Sequence, residues 1–163
     1  MNKSKIILSA IGGGAPQLYN VDAVGYESLM LGMFQIMYGP ENDICEAAGV
    51  PKITELQPMF SRDGFHFSHD DRTPAIASER WDSGAWDAGY VQSMPNLLAV
   101  SDDRLVFFYG ACAGNPSRLG IGGFTCDLNG CYDQGASGVA ILRRDGFASM
   151  TPGIGRTSGE LVT

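Results

Sequence analysis

Two of the acidic residues that directly follow an aromatic residue in this sequence are candidates for contact with a sugar. Asp87 follows Trp86, and Glu27 follows Tyr26. The C–H face of a sugar ring packs on an aromatic ring, while the sugar hydroxyls hydrogen-bond to a neighbouring carboxylate. Both pairs are therefore candidate sugar contacts, although aromatic rings of this kind also serve as core residues.

Asp22 is a third candidate carboxylate, placed with Glu27 at the start of one predicted strand. A spacing of five residues puts the two side chains on opposite faces of a regular strand, so one of them is expected to face a pocket. Structural interpretations stay open for all three acids. Asp22 could cap a turn after Asn20, and Glu27 could pair with an arginine. Asp87 could be a turn residue after 82–84.

Tyr90, Gln92 and His66 complete the set of candidate sugar contacts. His66 lies beside an Asp-Gly turn, where it is either exposed to solvent or within reach of a sugar hydroxyl. The aspartate of that turn, Asp63, is interpreted as structural, because an aspartate before glycine bonds to nearby backbone in a turn. Asp145 stands in the same context and is interpreted in the same way.

Strands must position these residues in the first half of the chain. The segment 24–38 favours two adjacent strands over one helix, because Gly25 and Gly32 would each cost a helix roughly 1 kcal/mol. Residues 53–61 alternate apolar and polar side chains and lead to Asp63-Gly64, a strong hairpin signal. Alternation resumes over 65–68, so a strand is predicted on each side of the turn.

The second half shows a similar order of elements. Segments 90–94 and 96–100 lead to a polar turn at 101–103, and 104–110 follows as a strand rich in β-formers. After a glycine-rich loop over about 113–138, the segment 139–150 again predicts a strand, an Asp-Gly turn and a strand. The 22 glycines and 8 prolines together make up more of the chain than the usual share of roughly 12%, which is typical of a fold with many tight turns.

A four-residue motif marks the last hairpin of each half, since Arg62-Asp63-Gly64-Phe65 recurs as Arg144-Asp145-Gly146-Phe147. A repeated four-stranded unit of this kind is typical of β-propeller blades. The sequence therefore predicts an all-β fold, a partial β-propeller of about two four-stranded antiparallel blades. The predicted blades cover 19–77 and 86–151 of an incomplete propeller domain, 19–151. Residues 1–18 are expected to form a leader or linker strand and 152–163 a tail.

Composition excludes several classes of partner. The net charge of −7 argues against nucleic acid and anionic membrane surfaces, which require basic patches. Four cysteines without a Cys-x-x-Cys pair, and two neighbouring histidines, do not predict a metal site, and no cofactor is expected. A short basic and apolar start, interrupted by Gly12-Gly13-Gly14, leaves both a cytoplasmic and an exported location open.

Four segments, 18–32, 61–67, 86–93 and 142–150, together resemble bacterial proteins related to the five-bladed β-propeller glycoside hydrolases. That superfamily comprises the invertases, levanases, arabinanases and β-xylosidases of families 32 and 43. The resemblance covers about 16–151 and implies the C-terminal blades of a longer propeller. It also implies a carbohydrate partner and a glycoside hydrolase that cleaves poly- or oligosaccharides with paired carboxylates.

On this resemblance the candidate catalytic residues are Glu27, Asp22 and Asp87. The Asn-Asp-Pro-Asn-Gly run of the invertase type and an Arg-Asp-Pro triplet are both absent. Because the family draws its carboxylates mainly from early blades, this chain alone is expected to be inactive. The alternative is a non-catalytic sugar-binding or structural propeller. An open pair of blades is further expected to expose Phe107 and Phe108, and to associate with itself or with the missing blades.

Overall fold

The structure, a computed structural model, describes residues 15–39, 52–68, 71–79, 83–112 and 135–148, with 155, 157–158 and 160. Within these ranges the chain forms strands and no helix, which confirms the prediction of an all-β protein with antiparallel sheets. No helix in this part of the chain is long and apolar enough to cross a membrane. The strands are β1 (Gln17–Tyr26), β2 (Leu29–Gly39), β3 (Ile53–Ser61), β4 (Phe67–Ser68), β5 (Ile76–Ala77), β6 (Tyr90–Ser101), β7 (Arg104–Cys112) and β8 (Gly135–Arg143).

The first sheet has the order β1-β2-β3-β4, and β5 also pairs with β3. The predicted division of 24–38 into two strands is confirmed, with a two-residue turn at Glu27-Ser28 between them. Glu27 takes a left-handed conformation with φ of 50°, which suits the tight hairpin. β4 is only two residues long, so the hairpin predicted around Asp63-Gly64 pairs over a short distance.

The second sheet has the order β6-β7-β8, again with antiparallel pairing. Its first hairpin turns at Asp102-Asp103, and Asp102 has φ of 49°. The register of β6 shifts between Ser93 and Leu98. The strand predicted after Asp145-Gly146 is not present at 147–148, where Phe147 is still in the turn, and 149–150 lie outside the described residues. Residues 135–138, predicted as the end of the glycine-rich loop, instead begin β8, and 113–134 of that loop lie outside the described residues. The four-stranded second blade and the propeller itself therefore stay predictions.

The two sheets pack on each other, and we call the facing sides their inner faces. β6 is the strand of the second sheet that lies closest to β1, β2 and β3. The buried cluster between the sheets includes Leu31 and Leu56 from the first sheet and Leu105 and Phe107 from the second. The expectation that Phe107 is exposed was wrong, because it points inward and is 5% exposed. Phe108 points to the outer face and is 38% exposed, as expected.

Two side chains of the first sheet, Thr54 and Gln35, hold the start of β6. Thr54 Oγ1 donates a hydrogen bond to the Val91 carbonyl at 2.7 Å and accepts one from the Val91 N–H at 2.8 Å. The backbone N–H of Thr54 donates to the Gly89 carbonyl at 3.0 Å, and Gln35 Nε2 donates to the Val91 carbonyl at 2.8 Å. Both side chains are buried, so these bonds fix the position of β6 without solvent competition.

Candidate functional site

The Trp86–Asp87 pair lies against β7, where an aromatic neighbour completes it. The indole of Trp86 packs on the ring of Tyr109, with 5.4 Å between the centroids and 36° between the planes. Tyr109 Oη lies 3.5 Å from Asp87 Oδ2, longer than the usual ~2.7–2.8 Å for a hydroxyl donor. Burial, together with this carboxylate, raises the pKa of Tyr109. Asp87 thus retains the capacity to accept stronger hydrogen bonds.

Gly138 makes room for the indole. It pairs directly with Tyr109 across β7 and β8, and a Cβ built there would lie 2.7 Å from Trp86 Cζ2. Any side chain at this position would therefore displace the indole from the sheet. The remaining indole surface faces outward, because Trp86 is 39% exposed.

Backbone bonds hold the segment that carries Trp86 and Asp87. The N–H of Glu79 donates to the Asp87 carbonyl at 3.2 Å, and the N–H of Gly89 donates to the Glu79 carbonyl at 3.1 Å. Glu79 and Ala88 also form an isolated parallel bridge. The segment directly after Trp86 is thus fixed to Glu79 by backbone bonds with Asp87 and Gly89.

Asp22 lies in the middle of β1, not at the start of a strand and not in a turn. Its carboxylate accepts a hydrogen bond from Asn20 Nδ2 at 2.9 Å and a short one from Ser93 Oγ of the second sheet. Ser93 pairs directly with Tyr109 across β6 and β7, so the two side chains share the inner face. Asp22 therefore contacts Ser93, and Asp87 contacts Tyr109, its neighbour in the sheet.

Glu27 lies apart from this group, in the β1–β2 turn. Arg144 Nη2 donates to its carboxylate at 2.7 Å, and this hydrogen bond is the main cause of the raised pKa of Arg144. The arginine pairing that the sequence left open is thus present. β1 ends before Glu27, and five residues of strand separate it from Asp22 by about 16 Å. The two acids do not meet.

Tyr26 is part of the core and not an exposed platform. Its hydroxyl donates to Asp145 Oδ1 at 2.6 Å, and its ring meets Phe147 edge-on at 6.0 Å. The hydrogen bond to Asp145, together with burial, raises the pKa of Tyr26. Tyr26 and Glu27 both contact the 144–147 turn, so they join the two sheets at one end.

Tyr90 and Gln92 contact each other through a 2.8 Å hydrogen bond from Tyr90 Oη to Gln92 Oε1. Burial raises the pKa of Tyr90. Alternation along β6 places Gln92 on the opposite face from Ser93. Together with Met94 and neighbouring residues of β7 and β8 the pair lines a shallow depression of about 460 Å³.

His66 is exposed in the turn before β4, and its Nδ1 lies 2.7 Å from Asp63 Oδ2. The backbone N–H groups of Phe65 and His66 both donate to Asp63 Oδ1, at 2.9 and 2.8 Å. These bonds hold the pKa of Asp63 well below its usual range, and the bond from the backbone N–H of His66 has the largest effect. Asp63 therefore bonds to its own turn, in keeping with its structural interpretation.

A groove of about 540 Å³ opens between the two sheets. Its walls are mostly apolar, with Met33 and Phe60 on one side and Phe107, Leu142 and Phe147 on the other. The sequence did not reveal this groove, because it depends on how the sheets are docked. It contains none of the candidate site residues.

Sequence reasoning also missed Ser93 and Tyr109 as members of the site. Alternation along β7 could have placed Tyr109 beside Phe107 on one face, but no local signal connects either residue to Asp22 or Asp87. Comparison with protein-family models, curated proteins and solved structures gives no significant match for this chain. No group of three or more His, Cys, Asp or Glu side chains is arranged to hold a metal ion within the described ranges.

Proposed function

We propose that the protein is carbohydrate-active and that Trp86, Asp87 and Tyr109 bind the sugar. The observation that carries this proposal is the partly exposed indole, fixed on Tyr109 beside a carboxylate. A sugar ring packs its C–H face on the outward indole surface, and its hydroxyls donate to Asp87. Because Gly138 and Tyr109 already fix the indole, little side-chain freedom is lost on binding.

Hydrolysis of a glycosidic bond is the second candidate function, and it rests on Asp22 and Asp87. Their contacts, Ser93 and Tyr109, are direct neighbours in the β6–β7 ladder. A glycosidase needs two carboxyl groups across the bond, about 5–5.5 Å apart for retention or 6.5–9.5 Å for inversion. One acid would protonate the leaving oxygen and the other would act as nucleophile or base. We assign Glu27 to neither role, because its ion pair with Arg144 joins the two sheets.

Affinity electrophoresis and calorimetry on a panel of plant and algal polysaccharides test sugar binding. We expect Trp86→Ala to weaken binding about fivefold or more, since stacking on an aromatic ring is worth about 1 kcal/mol or more. Trp86→Phe keeps a ring and should retain most of the affinity. Phe65→Ala removes an exposed aromatic ring that is not part of the proposed site and serves as the matched control. Equal binding by Trp86→Ala would overturn the proposed site.

Aryl glycosides and the polysaccharide that binds best then separate an enzyme from a binding protein. If the protein is a hydrolase, either as this chain or within a longer propeller, Asp22→Asn and Asp87→Asn each abolish turnover. Glu27→Gln is the matched control and leaves turnover unchanged. Turnover that survives both aspartate substitutions would contradict the assigned pair. Binding without turnover in every form leaves the non-catalytic sugar-binding function.

A further inference from the structure

The two sheets begin with equivalent hairpins. Each has a two-residue turn whose first residue is left-handed, Glu27 with φ of 50° and Asp102 with φ of 49°. Matching the turns aligns β1-β2 with β6-β7 and makes Met33 equivalent to Phe108, and Leu31 to Val106. This equivalence allows each buried position of one sheet to be compared with the exposed position of the other sheet.

Met33 and Leu31 are buried on the inner face of the first sheet, under the second sheet. Their equivalents Phe108 and Val106 lie on the outer face of the second sheet. There they pair with Val139 and Ile141 of β8, and Ile141 is 58% exposed. The outer face of the second sheet thus repeats an apolar docking surface that has no cover among the described residues. We call Val106, Phe108, Val139 and Ile141 the β7–β8 patch.

The strand that would cover such a patch is also present. In the internal interface that strand is β6, which buries Ser93 against the first sheet. The hairpin match makes Phe34 of β2 equivalent to Tyr109 of β7. Because Val21 pairs with Phe34 and Ser93 pairs with Tyr109, Val21 of β1 is equivalent to Ser93 of β6. Val21 lies on the outer face of β1 and is 42% exposed, and Leu18 is exposed beside it. We call Val21 and Leu18 the β1 patch.

We propose that a second copy of this chain docks head to tail, with the β1 patch of one copy on the β7–β8 patch of the other. The contact repeats the packing that already joins the two sheets within one chain, so both surfaces have a demonstrated partner of the same kind. The two patches differ, so the interface is heterologous and each bound copy presents a fresh patch to the next. Such contacts close into a ring or continue as a filament.

Light scattering and sedimentation of the 163-residue chain over a range of concentrations test the proposal. The wild-type chain should associate as concentration rises. Ile141→Glu and Val21→Glu each place a charge in one patch at an exposed position, and each should weaken association at least tenfold. Phe65→Glu changes an exposed aromatic residue outside both patches and should associate like the wild type. Far-UV circular dichroism checks that all three variants keep the β-sheet spectrum.

Mixing the two patch variants gives the sharper measurement. The Ile141→Glu copy keeps its β1 patch, and the Val21→Glu copy keeps its β7–β8 patch. An equimolar mixture should therefore form 1:1 heterodimers and nothing larger. A wild-type chain that stays monomeric at every concentration would overturn the proposal. So would normal association of Val21→Glu, because it would mean that copies meet through the second sheet alone.

Discussion

The two Arg-Asp-Gly-Phe turns have identical sequences and opposite roles. In the first, Asp63 bonds to the N–H groups of its own turn, and Phe65 is 87% exposed. In the second, Asp145 accepts a hydrogen bond from Tyr26 of the other sheet, and Phe147 packs between the sheets. The first turn is a self-contained loop, while the second is a connector. Four identical residues therefore specify a turn without specifying what it holds.

The residue before the motif explains part of the difference. Ser61 precedes the first copy, and its hydroxyl accepts hydrogen bonds from the N–H groups of Asp63 and Gly64 at 3.3 and 2.9 Å. An arginine, which has no acceptor, precedes the second copy. The left-handed residue also differs, since it is Gly64 with φ of 78° in the first turn and Asp145 with φ of 57° in the second. A shift of one residue reverses the direction of the phenylalanine.

Truncating the two phenylalanines should give the largest contrast. Phe147 packs edge-on against Tyr26, Phe60 and Phe107, at centroid distances of 6.0, 5.7 and 6.5 Å. Phe147→Ala should lower the free energy of unfolding by about 3 kcal/mol, at the low end for phenylalanine because the ring is partly exposed. Phe65→Ala should change it by less than about 0.5 kcal/mol. Urea unfolding measures both, and equal effects would refute the contrast.

Substitutions at the two glycines should separate backbone strain from steric obstruction. Gly64→Ala forces a side chain into the left-handed region and should cost about 1–2 kcal/mol. Gly64→Asn should recover part of that cost, since asparagine tolerates this conformation. At Gly146 an added Cβ would lie 2.8 Å from the Arg143 carbonyl oxygen, so alanine and asparagine should be equally unfavourable. Urea unfolding of the four variants checks the pattern, which fails if asparagine rescues both positions.

Acid should weaken the first turn through Asp63. Its pKa is lower in the folded chain than the unfolded value of about 3.9, because N–H groups and His66 stabilise the carboxylate. The resulting stability is complete above that unfolded value and is lost as pH falls toward the folded pKa. Asp63→Asn should therefore flatten the decline of the unfolding free energy below about pH 4. An unchanged acid limb in this variant would show that Asp63 does not contribute.

Substitution of the arginines in the two turns should give the smallest difference in stability. Arg144 donates to Glu27 at 2.7 Å, and both side chains are largely exposed. Arg144→Gln should destabilise the protein slightly, and the effect should shrink as salt screens the pair. Arg62 has no ion pair among the described residues, so Arg62→Gln should have no salt-dependent effect. Melting temperatures in low and high salt measure both, and the same salt response for the two would contradict this assignment.

The sequence was informative where a structural cause is local. The alternation over 53–61 and the division of 24–38 depend on neighbouring residues, and both were predicted. Alternation also separates Phe107 from Phe108 but does not tell which one points inward, because that depends on how the sheets dock. Asp22 and its donor Ser93 are far apart in the chain, so no spacing could predict their contact.

Glu27 was misplaced for a related reason. The residue that takes the left-handed conformation in the β1–β2 turn is a glutamate, without the Asn-Gly or Asp-Gly pair that usually marks a tight hairpin. Without that pair, the sequence pattern predicts a strand that continues through Glu27. Asp63-Gly64 carried that signal, and its turn was found.

The bonds of Thr54 to Gly89 and Val91 bear on the order in which the chain folds. The β1–β2 and β6–β7 hairpins each join their strands through a two-residue turn, so their pairing closes short loops and can form quickly. Thr54 joins positions much farther apart, at the point where β6 meets the first sheet. We therefore expect the two sheets to dock, and Thr54 to form its bonds, after the hairpins have formed. Thr54→Val, which keeps the shape and removes the hydroxyl, should speed unfolding more than it slows refolding.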